Sequence, residues 1–169
     1  MSLSGIVPDA DIEAKLGQLL SDEGSSRRVY SITDDNDLVV KEGLNAPYAA
    51  NLKEWQVWSE IVGTAMADTF AECRAVSETG RYLVMERLDT NLGGKAKPAT
   101  PVWLTDRKRS CLGVSSNGAV KVLDYGQSSD YEGTRSKAPL HSWPSDSDAD
   151  QMGNITRMLG DNPFGLGNG

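Results

Sequence analysis

The sequence predicts an α+β fold with an antiparallel sheet, and three observations carry that prediction. One long stretch, residues 47–66, repeats its apolar residues at the helical period. Several short runs of β-formers come in pairs separated by turn residues. Strands and helices do not alternate in the way a parallel sheet requires.

Taken in order, residues 9–21, DADIEAKLGQLLS, place Ile12, Leu16, Leu19 and Leu20 at helical spacing after a Pro-Asp start, and predict a helix. EGSSRRVYSI (23–32) is a turn running into a strand, DDND (34–37) is a second turn, and LVVK (38–41) a second strand, so the two strands form a hairpin. In 47–66, Tyr48, Leu52, Trp55, Trp58 (or Val57), Ile61, Val62 and Met66 mark the buried side of a helix, which Asn45 can cap. FAECRAV (70–76) and RYLVMER (81–87) are strands around SETG. Residues 90–101 have no period and read as a linker. CLGV and AVKVLDYG flank Asn117-Gly118, a two-residue hairpin signal. Residues 127–147 read as loop, 148–159 as a helix, and the glycine-rich tail as frayed. One antiparallel N-terminal sheet with a helix packed on it is the expected result.

The chain has 169 residues and a net charge of −7. That charge argues against nucleic acid, whose binding rests on Lys and Arg neutralising phosphates, and against an anionic membrane surface. A nucleotide needs only a few local cations and stays open. Cys73, Cys111 and the single His141 are in no metal-ligand spacing, so structural zinc is not expected. Two thiols fit a reducing cytosol. The N-terminus has no basic and apolar leader pattern, and no apolar run reaches the ~20 residues of a membrane span. The expectation is a soluble, cytoplasmic protein with no nucleic-acid or membrane partner.

The residues with chemical potential are few. Lys41 ends an apolar strand, where it either snorkels to water or lies under a phosphate-binding turn made by Gly24, Ser25 and Ser26. Glu54, thirteen residues on, could pair with it, and Glu60 is the rival. Asp106 and Lys108 sit two apart in LTDRKRS. Asp124 ends a strand before Tyr125-Gly126, as a turn residue or as a carboxylate for Mg²⁺ beside substrate phosphates. The order of these parts matches the parts list of protein-kinase-type phosphoryl transfer.

On those residues the chain resembles the protein-kinase-like superfamily, in particular the small divergent kinase-like proteins of phages and bacteria. EGSSRRVYSI with LVVK resembles the glycine-rich loop and lysine strand, and NLKEWQVW the helix with its glutamate. YLVMERL resembles the strand into the hinge, LTDRKRSCLGV the catalytic loop, VKVLDYG the Asp-Phe-Gly segment, and SDADQMGNITRMLGDNPF a later core helix. The resemblance implies ATP and Mg²⁺ as cofactors. Gly24, Ser25, Ser26 and Lys41 would meet the phosphates, and Glu54 would orient Lys41. Met85 would be the gate, with Glu86, Arg87 and Leu88 at the adenine edge. Asp106 would be the catalytic base, Lys108 a γ-phosphate contact, Asp124 the metal ligand, and Asp148 a brace for the catalytic loop. It also implies an N-lobe-like region over 1–88, a hinge over 89–101 and a reduced C-lobe over 102–169.

The departures are specific. Arg27 stands where the last loop glycine belongs, Leu104 where the histidine before the aspartate belongs, and Cys111 where a metal-binding asparagine belongs. Only 18 residues separate Leu88 from Asp106, too few for the usual pair of large-lobe helices. Losing a metal ligand weakens the charge stabilisation that drives phosphoryl transfer. Two functions follow: a nucleotide-binding, ATP/Mg-dependent phosphotransferase of weak or specialised activity, or an inactive pseudokinase-like binding protein. The second is exemplified by a phage factor that inhibits a host protein, its acidic surface steering it to a partner with a basic surface. Lys41→Ala is expected to abolish nucleotide binding with little loss of fold, and Trp55→Ala or Trp58→Ala to cost about 3–5 kcal/mol.

Overall fold

The structure, a computed structural model, describes residues 3–23 and 26–144. Gly24, Ser25, Asp148 and the helix expected over 148–159 lie outside them. The fold is α+β around a mostly antiparallel sheet. Six strands, β1 (Gly5–Val7), β2 (Leu16–Ser21), β3 (Arg27–Ile32), β4 (Asp35–Gly43), β5 (Cys73–Ser77) and β6 (Tyr82–Glu86), lie in the order β1-β5-β6-β4-β3-β2. Every pairing is antiparallel except β1 with β5.

The middles of the central strands are continuous apolar runs, Leu38-Val39-Val40 in β4 and Tyr82-Leu83-Val84-Met85 in β6, because both faces of the sheet are covered there. Val39, Leu83 and Met85 turn to one side, where the helix α2 (Ala49–Ile61) packs. Val40, Tyr82 and Val84 turn to the other, against Ile12 of the short helix α1 (Asp9–Glu13) and Leu3. Lys41 follows Val40 and so returns to the α2 side, opposite Leu83. Strand alternation alone therefore aims its ammonium beneath the helix.

Residues 9–21 are a correction. Only 9–13 are helical, and 16–21 form β2, the edge strand paired with β3. The leucines of LGQLLS satisfy either period over so short a window, Gly17 disfavours the helix, and pairing with β3 decides. Leu19 and Leu20 stay partly exposed.

The long helix is also shorter and rotated. It spans Ala49–Ile61, followed by a 3₁₀ turn at Ala65–Thr69. Asn45 does not cap it. Tyr48, at φ 58°, precedes the first turn, and the Asn45 carbonyl accepts the Tyr48 N–H. The fully buried positions are Asn51, Glu54, Val57 and Ile61. Leu52 is 42% exposed, and Trp55 and Trp58 are half-buried on the flanks of the core. The apolar pattern misplaced the inward face because two of its members are polar.

The second half hangs from this frame. β8 (Leu112–Val114) and β9 (Val120–Val122) form the expected hairpin. Its connection is a three-residue loop, not a two-residue one: the Ser115 N–H donates to the Ala119 carbonyl and the Gly118 N–H to the Ser115 carbonyl. Gly118 holds φ 86°, which glycine alone adopts freely. Residues 90–101 are irregular until β7 (Thr100–Pro101), which pairs with β10 (Leu140–His141). A ladder of rings joins the parts: Phe70 stacks on Trp103 at 5.3 Å and meets Tyr125 edge-on at 5.1 Å. Among the described residues no helix is long and apolar enough to cross a membrane.

Candidate functional site

Glu54 is the centre of the site. Its side chain is fully buried, and α2 aims it at the end of β9. Lys41 is itself 5% exposed; its Nζ lies 3.1 and 3.0 Å from the two Glu54 oxygens and donates to the Leu123 carbonyl at 2.6 Å. The Tyr125 and Gly126 backbone N–H groups donate to Glu54 Oε1 at 2.9 and 3.1 Å. Arg27 adds a second cation, its guanidinium 3.0 Å from Glu54 Oε2 and 2.5 Å from Asp124 Oδ1. Two carboxylates thus face two cations, and the buried acid is fully satisfied, which is the condition for a charge to sit inside a protein at all.

Three neighbours fix this arrangement. Asn51, one turn before Glu54, donates through Nδ2 to the carbonyls of Lys41, Gly80 and Arg81, pinning α2 to β4 and to the turn that leads into β6. Gly126 lies against the first turn of α2 so closely that a Cβ would come within 2.9 Å of the Ala50 carbonyl oxygen. Tyr125 is fully buried, and its hydroxyl donates to the Ala71 carbonyl and meets Cys73 Sγ.

A cleft of about 830 Å³ opens beside the cluster. Val29, Val39, Met85, Leu88 and Leu123 give it an apolar lining, and Lys41 and Asp124 supply charge. Glu86 and Arg87 border it at the end of β6, and Leu20, Ser21 and Glu23 border it at the end of β2. The segment between β2 and β3 contains Gly24, Ser25 and Ser26. Of these only Ser26 is described: its carbonyl accepts the Leu44 N–H, and it does not line the cleft.

The structure therefore brings Lys41, Glu54 and Asp124 together, with Glu86 and Leu88 on the same cleft. Glu60, the rival to Glu54, instead pairs with Arg135 at 2.6 Å. Asp106 and Lys108 pair with each other at 3.2 Å, with Lys108 largely exposed, and neither lines the cleft. Cys111 lies between the two acidic positions: burial pushes its thiol up to about 11, and the carboxylates of Asp106 and Asp124 push the same way. Lys41 is not the separable strand-end lysine that would tolerate alanine. Its burial against Glu54 makes it part of the fold. Sequence reasoning gave Arg27 no role and Asn51 no notice. The only signal for Arg27 is a basic residue where the resembled loop has glycine.

Burial alone would raise the Asp124 carboxyl, but the Lys41 ammonium and the Arg27 guanidinium outweigh it and hold the group well below the usual carboxylate range. Its stabilising contribution is thus present above the unfolded value of about 3.9 and is lost as pH falls through that value towards the folded one. Asp124→Asn is expected to be less stable at neutral pH and to lose less stability than wild type between about pH 5 and 3. Urea midpoints measured across that range check it, and parallel losses in both proteins would count against it.

The donor set does not match a divalent-cation site. Asp124 offers its carboxylate to a guanidinium, and among the described residues no second carboxylate lies beside it free of a cation, since Glu54 is held by Lys41 and Arg27. Among the described residues no three His, Cys, Asp or Glu side chains gather as metal ligands. In comparisons with known proteins, no family model and no curated protein matches the chain.

Proposed function

We propose that this protein is a kinase-like nucleotide-binding protein whose cleft takes a nucleoside triphosphate such as ATP. The observation that supports this best is the joining of Lys41 and Asp124, with Glu54 behind them, at one side of a cleft whose lining includes the apolar side chains of Val29, Val39, Met85, Leu88 and Leu123. An apolar slot of several hundred cubic ångströms with a few placed polar groups suits a flat heteroaromatic base. A lysine whose ammonium is held rigidly by a buried carboxylate suits a phosphate at the other end of the same ligand.

Two observations favour binding over efficient transfer. Cys111 is a buried thiol, and Asp106 with Lys108 stands outside the cleft lining. A reading as a pseudokinase-like binding protein, acting on a protein partner with a basic surface, rests on those features and on the net charge of −7.

Thermal unfolding tests the nucleotide reading. ATP at a hundred times its dissociation constant is expected to add about 2.7 kcal/mol of stability, and inorganic triphosphate, which lacks the base, much less. Ser110 is exposed and lines the cleft, so Ser110→Trp fills the slot without disturbing the core. That variant is expected to fold normally and to lose the ATP response. An equal response in Ser110→Trp, or none in wild type, would refute the assignment.

A further inference from the structure

Arg27 is the cluster's least expected member. It opens β3, its side chain is 12% exposed, and it reaches across to residues 27 and 97 positions away in sequence. Glu54 does not depend on it for hydrogen bonds, since Lys41 Nζ and two backbone N–H groups already serve that carboxylate. The guanidinium nitrogen facing Glu54 makes no hydrogen bond there despite the 3.0 Å approach. Its well-formed contact is with Asp124. The charges also balance: Lys41 and Arg27 against Glu54 and Asp124. A dication added to that set would leave it strongly positive in a low-dielectric place. Removing Arg27 would leave one net negative charge, the condition that attracts a dication.

We propose that Arg27 is a built-in cation that holds the position on Asp124 a divalent ion would need, so that the cleft takes a nucleoside triphosphate without Mg²⁺. The inference rests on the nucleotide reading above. Lys41 then faces the polyphosphate from the cleft lining, and Arg27, outside that lining, keeps Asp124 neutralised so that its carboxylate does not repel the phosphates. A guanidinium suits this role, because its planar fork of N–H donors matches carboxylate oxygens.

Two measurements on wild type and Arg27→Gln test it. The first is ATP binding in excess Mg²⁺ and in chelator. Wild type is expected to bind equally in both, and Arg27→Gln about tenfold more tightly with Mg²⁺. The second is a titration of the protein alone with Mn²⁺, followed by electron paramagnetic resonance. Wild type is expected to take up none, Arg27→Gln one ion, and Arg27→Lys, which restores the charge, none. Wild type that needs Mg²⁺ for ATP, wild type that takes up Mn²⁺, or a folded Arg27→Gln that takes up none each overturns the proposal. Should Arg27→Gln not fold, the two wild-type measurements decide. If no protein binds ATP under any condition, the nucleotide reading falls, and the Mn²⁺ titration still decides whether Arg27 holds the cation position.

Discussion

Replacing Glu54 by alanine is expected to destabilise the protein by about 3–5 kcal/mol, the usual cost of removing one partner from a buried ion pair. The reason lies in what it leaves behind. Lys41 is 5% exposed and would be left with only the Leu123 carbonyl and the more distant Asp124 as partners. The Tyr125 and Gly126 N–H groups would lose their acceptor. Glu54→Gln keeps the shape and one acceptor oxygen, so it should fall between alanine and wild type. Urea denaturation gives the values. A double variant with Lys41→Met should lose markedly less than the sum of the two single changes, because each single change strands the other's charge. An additive cycle would mean that the pair does not interact in solution.

Trp103→Ala is expected to cost a similar amount, about 3–5 kcal/mol. Trp103 is 1% exposed, stacks on Phe70, lies under the Arg135 guanidinium at 5.1 Å, and donates its indole N–H to the Arg135 carbonyl at 3.2 Å. Trp58→Ala and Trp55→Ala, both half-buried, should cost about 1–2 kcal/mol each. That reverses the ranking drawn from the sequence, where the two helix tryptophans stood as core and Trp103 drew no attention. Denaturant midpoints of the three variants check the order. A Trp58→Ala loss as large as that of Trp103→Ala would contradict the observed burial.

What the sequence showed and hid follows from the range of the interactions involved. The pairs β3–β4, β5–β6 and β8–β9 were readable because each is local: β-former runs joined by short turns. Strand β1 pairs with a partner some seventy residues away, and β2 competes with a helix reading over six residues, so neither had a local signature. The face of α2 was misread by its own chemistry. Asn51 and Glu54 point inward to satisfy carbonyls, an ammonium and backbone N–H groups, and a rule that puts apolar residues inside must turn such a helix the wrong way. Lys41, Glu54 and Asp124 were legible as a set because each ends or sits on a readable element in a suggestive order. Arg27 was not, since its meaning depends entirely on two acids that only the folded chain brings to it.

The contact of Gly126 with Ala50 has a mechanical side. With no room for even a methyl group between them, and with Glu54 gripping the two N–H groups beside it, the first turns of α2 and the segment from Asp124 to Gly126 travel as one body. There is no slack by which the helix could swing away and leave the aspartate in place. Leu52 and Gln56 stand exposed on the outside of that helix. Anything that took hold of them and turned the helix would be turning Asp124 by the same handle.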